Sequence, residues 1–95
     1  MLILQMLARG ASHGYQIAKD IKATSEGVLD FKEGTLYPTL HNLEQRGWIE
    51  AFEEESSGRT RRYYRLTEAG RGALAQEREE WDRYSAAVNM VLGGA

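Results

Sequence analysis

Apolar residues recur along this chain at helical spacing in four places. Leu2, Ile3, Met6 and Leu7 mark one face of a first helix that ends at Gly10. Ile17, Ala18 and Ile21 mark a second, with Ser12 as its expected N-cap. Leu36, Leu40 and Leu43 mark a third, beginning at Thr35 as N-cap, with Pro38 in its first turn and Gly47 as its stop. Residues 24–34 between the second and third read as a connection containing a short extended piece. Residues 48–54 and 60–66 alternate as strands about the turn chemistry of Ser56-Ser57-Gly58. Thr67 then caps a long helix to about Leu92, released by Gly93-Gly94. Three helices, a hairpin and a long helix predict a mainly α fold with a small β-hairpin. This is a winged helix-turn-helix over residues 1–66, with a C-terminal dimerisation helix over residues 67–95.

At 95 residues the chain makes one small core. A core of this size buries only about 60–65% of the unfolded surface. Cysteine is absent, which excludes disulfides and cysteine-ligated zinc. A partner chain is the remaining source of burial. The apolar start lacks a basic flank and is too short to cross a membrane, so a cytoplasmic protein is expected. No cofactor is expected either.

Net charge is −2, which by itself argues mildly against nucleic acid. Its distribution argues the other way. Arg59, Arg61, Arg62 and Arg65 fall within seven residues, while acids gather at Glu53, Glu54 and Glu55 and at Glu77, Glu79, Glu80 and Asp82. Phosphate contact explains the arginines better than edge protection or pairing with the facing glutamates, since surface pairs stabilise little. On the third helix, Tyr37, His41, Asn42 and Gln45 lie opposite the leucines. They are hydrogen-bonding and mostly uncharged, which suits base edges or phosphate oxygens better than a Lys/Glu-rich solvated face would. Along the last helix Leu74, Trp81, Tyr84, Val88 and Val91 form an apolar seam interrupted by Glu77. That seam suits pairing with a second copy, packing on the chain's own first helix, or both on different faces.

Several of these segments together resemble the PadR family of transcriptional repressors. They are His13-Gly14-Tyr15, Gly34-Thr35-Leu36-Tyr37-Pro38-Thr39-Leu40, Leu43-Glu44, Gly47-Trp48-Ile49 and the run from Gly58 through Tyr63-Tyr64-Arg65-Leu66-Thr67 to Gly70. The resemblance covers nearly the whole chain and is closest to the smaller subtype with one dimerising helix. It implies a homodimer on pseudo-palindromic operator DNA, released in some members by a small effector. It also implies DNA contacts at Tyr37 and from Arg59 to Arg62; Thr35, His41, Asn42 and Tyr64 complete the expected DNA-binding set. Family chains often carry several more residues before the position of Leu2. Paired tryptophans at the place of Trp81 hold planar ligands in some relatives, so a planar aromatic effector is expected there, favoured as a cation by Glu77 and Asp82. The competing reading of Trp81 is interface core.

Two other functions compete with this one. A metal or acid–base enzyme would have to use His13, His41 and Glu44, which lack a clear third ligand, a nucleophile motif or a phosphate loop. A winged-helix protein–protein module without DNA binding fits the net charge, but the arginine-rich wing opposes it.

Overall fold

The computed structural model describes residues 1–94. In order it contains α1 (Leu2–Ala8), β1 (Ser12–His13), α2 (Gly14–Thr24), α3 (Glu33–Gln45), β2 (Ile49–Ser56), β3 (Arg59–Leu66) and α4 (Glu68–Val91). The three strands form one antiparallel sheet in the order β1-β3-β2. β2 and β3 pair from Ile49↔Leu66 to Ser56↔Arg59. The turn is tighter than expected: Ser57 and Gly58 both take positive φ, at 52° and 76°. That pair of conformations suits a two-residue hairpin, because its twist matches that of the strands.

The core gathers Ile3, Leu4 and Leu7 from α1, Ile17 and Ile21 from α2, and Leu36, Leu40 and Leu43 from α3, closed by Ile49, Tyr64 and Leu74. Three helices around one core with a hairpin at their side make a winged helix. Among the described residues, no helix is long and apolar enough to cross a membrane.

Local signals placed several boundaries correctly. Gly47, at φ 78°, ends α3 with two reversing bonds: its own N–H donates to Glu44 O and that of Trp48 to Leu43 O. Thr67 Oγ1 caps α4 by accepting from Gly70 N at 3.0 Å. The same hydroxyl donates to Gly47 O at 2.6 Å, so one side chain ties the end of α3 to the start of α4.

Other expectations need correction. The third helix begins at Glu33, with Lys32 as N-cap, so Thr35 lies inside it rather than capping it. Pro38 therefore sits in the second turn, where its missing N–H leaves Gly34 O without the usual helical donor. The N-cap of α2 is His13, not Ser12: its Nδ1 accepts from Gln16 N at 3.3 Å. Ser12 is instead in β1, opposite Tyr64. Within residues 24–34 the chain turns at 25–27 and then runs unpaired through 29–32, with Lys32 extended, into α3. Finally, Leu74 does not join the outward seam of α4. It is buried in the chain's own core, and α4 packs through that turn before running out past it.

Candidate nucleic-acid interface

α3 is held by Leu36, Leu40 and Leu43, and this anchoring turns Tyr37, His41, Asn42 and Gln45 to the surface. Thr35 is exposed on the same helix, and its carbonyl accepts from Thr39 Oγ1 at 2.8 Å. Asn42 Oδ1 accepts from Arg46 Nε at 2.9 Å. Tyr37 leans back over α2. A Cβ on Gly14 would stand 2.9 Å from Tyr37 Cε1, so only glycine lets this ring lie where it does. Two motifs far apart in sequence, His13-Gly14-Tyr15 and Leu36-Tyr37-Pro38, thus meet in space.

The hairpin divides its arginines into two kinds. Arg62 Nη2 donates to both carboxylate oxygens of Glu44, at 2.9 and 3.2 Å. Arg65 Nε donates to Glu50, and its guanidinium lies 4.7 Å from the Phe52 ring centroid. Arg59 and Arg61 have no carboxylate partner among the described residues. The sequence pattern treats the four arginines alike, but Arg62 and Arg65 are already paired with carboxylates. The pairs also skip Glu53, Glu54 and Glu55, although Glu53 and Glu54 stand directly across from Arg62 and Arg61. Tyr64, expected among the DNA contacts, is only 6% exposed and belongs to the core. The strand alternation puts Arg62, Tyr64 and Leu66 on one face, and that face packs on the helices.

A recess of about 320 Å³ opens between the hairpin and α2, with His13, Tyr15, Tyr37, Arg61, Arg62 and Tyr64 around it and Gly14 beneath. A second, of about 360 Å³, adjoins it and is ringed by Lys19, Lys22 and Lys32 about Phe31 and Leu36. Tyr15 and Tyr37 line both. One cationic, tyrosine-rich strip therefore runs from Arg61 to the lysines. Its acids are Asp30 and Glu33; Lys32, at 2.8 Å, and Lys22, at 3.7 Å, hold the Asp30 carboxyl below its usual range. Burial, then the nearby Arg61 charge, lowers the pKa of His13 against an opposing pull from Asp20. Glu44 keeps Arg62 firmly protonated. Sequence reasoning missed Tyr15 and all three lysines. Their one local signal was Lys19 and Lys22 at i, i+3 on α2, which is also the signature of a solvated face.

α4 keeps contact with α1 through Glu77, 3.6 Å from the Met1 ammonium, and Arg78, which donates to Gln5 Oε1 at 3.3 Å, and beyond Arg78 it leaves the body of the protein. Trp81 is 51% exposed, Tyr84 64% and Val91 87%, and Val88 and Leu92 are exposed beside them. Trp81 and Tyr84 rings lie 6.0 Å apart, and a shallow apolar hollow of about 250 Å³ follows along Tyr84, Val88 and Val91. Of the five expected seam residues, four are uncovered in the monomer and only Leu74 is not.

Comparison with known proteins agrees with this fold. The family model described as "Transcriptional regulator PadR-like family" matches residues 3–76. A transcriptional regulator of Mycobacterium tuberculosis is 37% identical over 92 residues, covering 97% of this chain and 80% of the relative. The structure of a transcriptional regulator from Clostridium thermocellum superposes with a TM-score of 0.87 at 35% identity, covering 94% of this chain and 87% of that one. The crystal structure of a PadR family transcription regulator from Clostridium difficile gives 0.84 at 33% identity, with 96% and 94% covered.

Proposed function

This chain belongs to the PadR-like family of transcriptional regulators, and on that premise we propose that it is a repressor binding pseudo-palindromic operator DNA as a homodimer. The observation that carries this reading is the strip of Arg61, Tyr37 and Tyr15 beside the exposed face of α3, with Arg59 at the hairpin tip. Cations without carboxylate partners flank a polar helix face, the arrangement in which phosphate contacts position and base contacts specify. His41 and Asn42 are the base-reading candidates. Arg59 at the hairpin tip and Arg61 behind it are the backbone contacts. The overall negative charge is no obstacle, because local potential at the strip decides the encounter.

The exposed stretch of α4 supplies the dimer contact. Trp81, Tyr84, Val88 and Val91 on two copies would cover each other, leaving residues 1–66 as the DNA-binding unit and most of residues 67–95 as the dimerising one. Two copies of α3 would then sit about 34 Å apart, in successive major grooves. Trp81 near its symmetry mate is the place for a planar aromatic effector, with Glu77 and Asp82 favouring a cation. Asp82 is the freer of these two carboxylates, since Glu77 Oε2 already lies 3.6 Å from the Met1 ammonium.

The test is duplex-DNA affinity as a function of salt. Arg59→Ala and Arg61→Ala are each expected to weaken binding to all sequences and lower the salt slope by about one unit. Arg62→Ala, which removes a charge already paired with Glu44, is expected to change the slope less. Unchanged affinity in the folded Arg59→Ala/Arg61→Ala double variant overturns the reading.

A further inference from the structure

The recess between the hairpin and α2 contains a hydrogen-bonding conflict that the isolated chain does not resolve. His13 Nδ1 lies 3.3 Å from the N–H of Gln16, which it caps. His13 Nε2 lies 3.1 Å from Arg61 Nη1. Both neighbours are donors. A neutral imidazole has one accepting nitrogen and a guanidinium has none. Whichever tautomer His13 adopts, one of these two contacts sets a donor against a donor. Keeping the helix cap puts the proton on Nε2, facing Arg61. Burial and the Arg61 charge both disfavour a second proton on the ring, so imidazolium is no escape.

An anionic oxygen placed between Nε2 and the guanidinium removes the conflict, because it accepts from both. The surroundings favour such an oxygen. Arg61 has no carboxylate partner among the described residues. Tyr64 is 6% exposed and lines the recess, and the Arg62 guanidinium lies 5.8 Å from its ring centroid. Gly14 and Tyr15 are the first two residues of α2, where backbone N–H groups have no partner within the helix and the helix dipole favours negative charge. The space, about 320 Å³, is open at the surface beside Tyr15 and Tyr37.

We infer that this recess is a phosphate-binding site in which His13 Nε2–H and Arg61 together donate to one oxyanion, occupied in the DNA complex by a backbone phosphate. The inference rests on the DNA-binding reading for its occupant, but not for its chemistry. His13 then has two roles on one ring: Nδ1 starts α2 and Nε2 binds the phosphate. The conflict in the free chain means that Arg61 leaves no satisfied partner when it turns to the anion.

The experiment uses the full chain, with inorganic phosphate as probe, chloride replacing it at constant ionic strength, and amide and imidazole NMR signals as readout. Phosphate is expected to shift the Gly14 and Tyr15 amides and the His13 ring saturably, with Nδ1 unprotonated throughout. Arg61→Ala is expected to weaken this by about tenfold, the loss of one charge-assisted bond. His13→Asn keeps a good N-cap, so the fold survives, and it is expected to weaken phosphate similarly. Absent shifts, or shifts that persist unchanged in both variants, overturn the inference. A duplex-DNA arm separates it from the reading it rests on. DNA that competes with phosphate supports both. DNA binding indifferent to His13→Asn overturns the recess and leaves the repressor reading standing. Phosphate binding without any duplex binding supports the oxyanion site, overturns its assignment to DNA, and points to a free phosphorylated ligand.

Discussion

Gly70→Ala tests how α4 is joined to the rest of the molecule. A Cβ at Gly70 would stand 2.0 Å from the carbonyl oxygen of Trp48, 2.9 Å from its carbonyl carbon and 2.7 Å from Leu66 Cδ1. The first two are backbone atoms and cannot rotate away. The Trp48 carbonyl also accepts from Thr67 N at 3.0 Å, so moving it breaks the link between hairpin and helix. Overpacking costs about 1–3 kcal/mol where side chains can yield, and more where they cannot. Alanine returns about 1 kcal/mol through helix propensity. A net loss of about 3 kcal/mol follows, a large fraction of the stability of so small a domain. At about 4–8 °C per kcal/mol, the melting temperature falls by about 12–24 °C. Gly72→Ala is the control. It lies two residues further along the same helix with open space where its Cβ would stand, and is expected to stabilise by about 0.5–1 kcal/mol. Thermal unfolding should be followed by circular dichroism at one fixed protein concentration, because a dimer's melting temperature depends on it. If Gly70→Ala melts within 4 °C or so of the wild type, the contact with Trp48 does not constrain this junction.

Other perturbations probe the remaining parts. Truncation after Glu79 removes the exposed stretch of α4 but no buried core residue, so the product is expected to stay folded, sediment as a monomer and lose most operator affinity; a dimeric product places the interface elsewhere. Planar cationic dyes are expected to quench tryptophan fluorescence saturably and loosen operator binding, and equal quenching in Trp81→Phe, which retains Trp48, assigns Trp81 to packing alone. Because His13 binds a proton less readily folded than unfolded, its contribution to stability is present above the unfolded value near 6.5 and lost as pH falls below it. The melting temperature of the wild type is therefore expected to drop more than that of His13→Asn between pH about 7.5 and about 5.5, and parallel profiles would show that His13 does not titrate this way.

What could be read from the sequence was what neighbours along the chain decide. The helical periodicity of Leu36, Leu40 and Leu43, the stop at Gly47, the cap at Thr67 and the hairpin about Gly58 depend on residues within a few positions of each other. So does the exposure of Tyr37, His41 and Asn42, which follows from burying the opposite face. The tertiary structure decided every contact that joins distant segments. Arg62 is neutralised by Glu44, eighteen residues earlier, rather than by the glutamates across the hairpin. Ser12 and His13 become a third strand only because β3 offers them an edge, and this moves the N-cap of α2 from Ser12 to His13. Lys19, Lys22 and Lys32 join Arg61 in one strip through the packing of α2 on α3. Tyr64 and Leu74 look like surface and seam residues in sequence, yet the core takes both. Periodicity assigns a residue to a face, but only the assembled elements decide whether that face meets the core, the solvent or another charge.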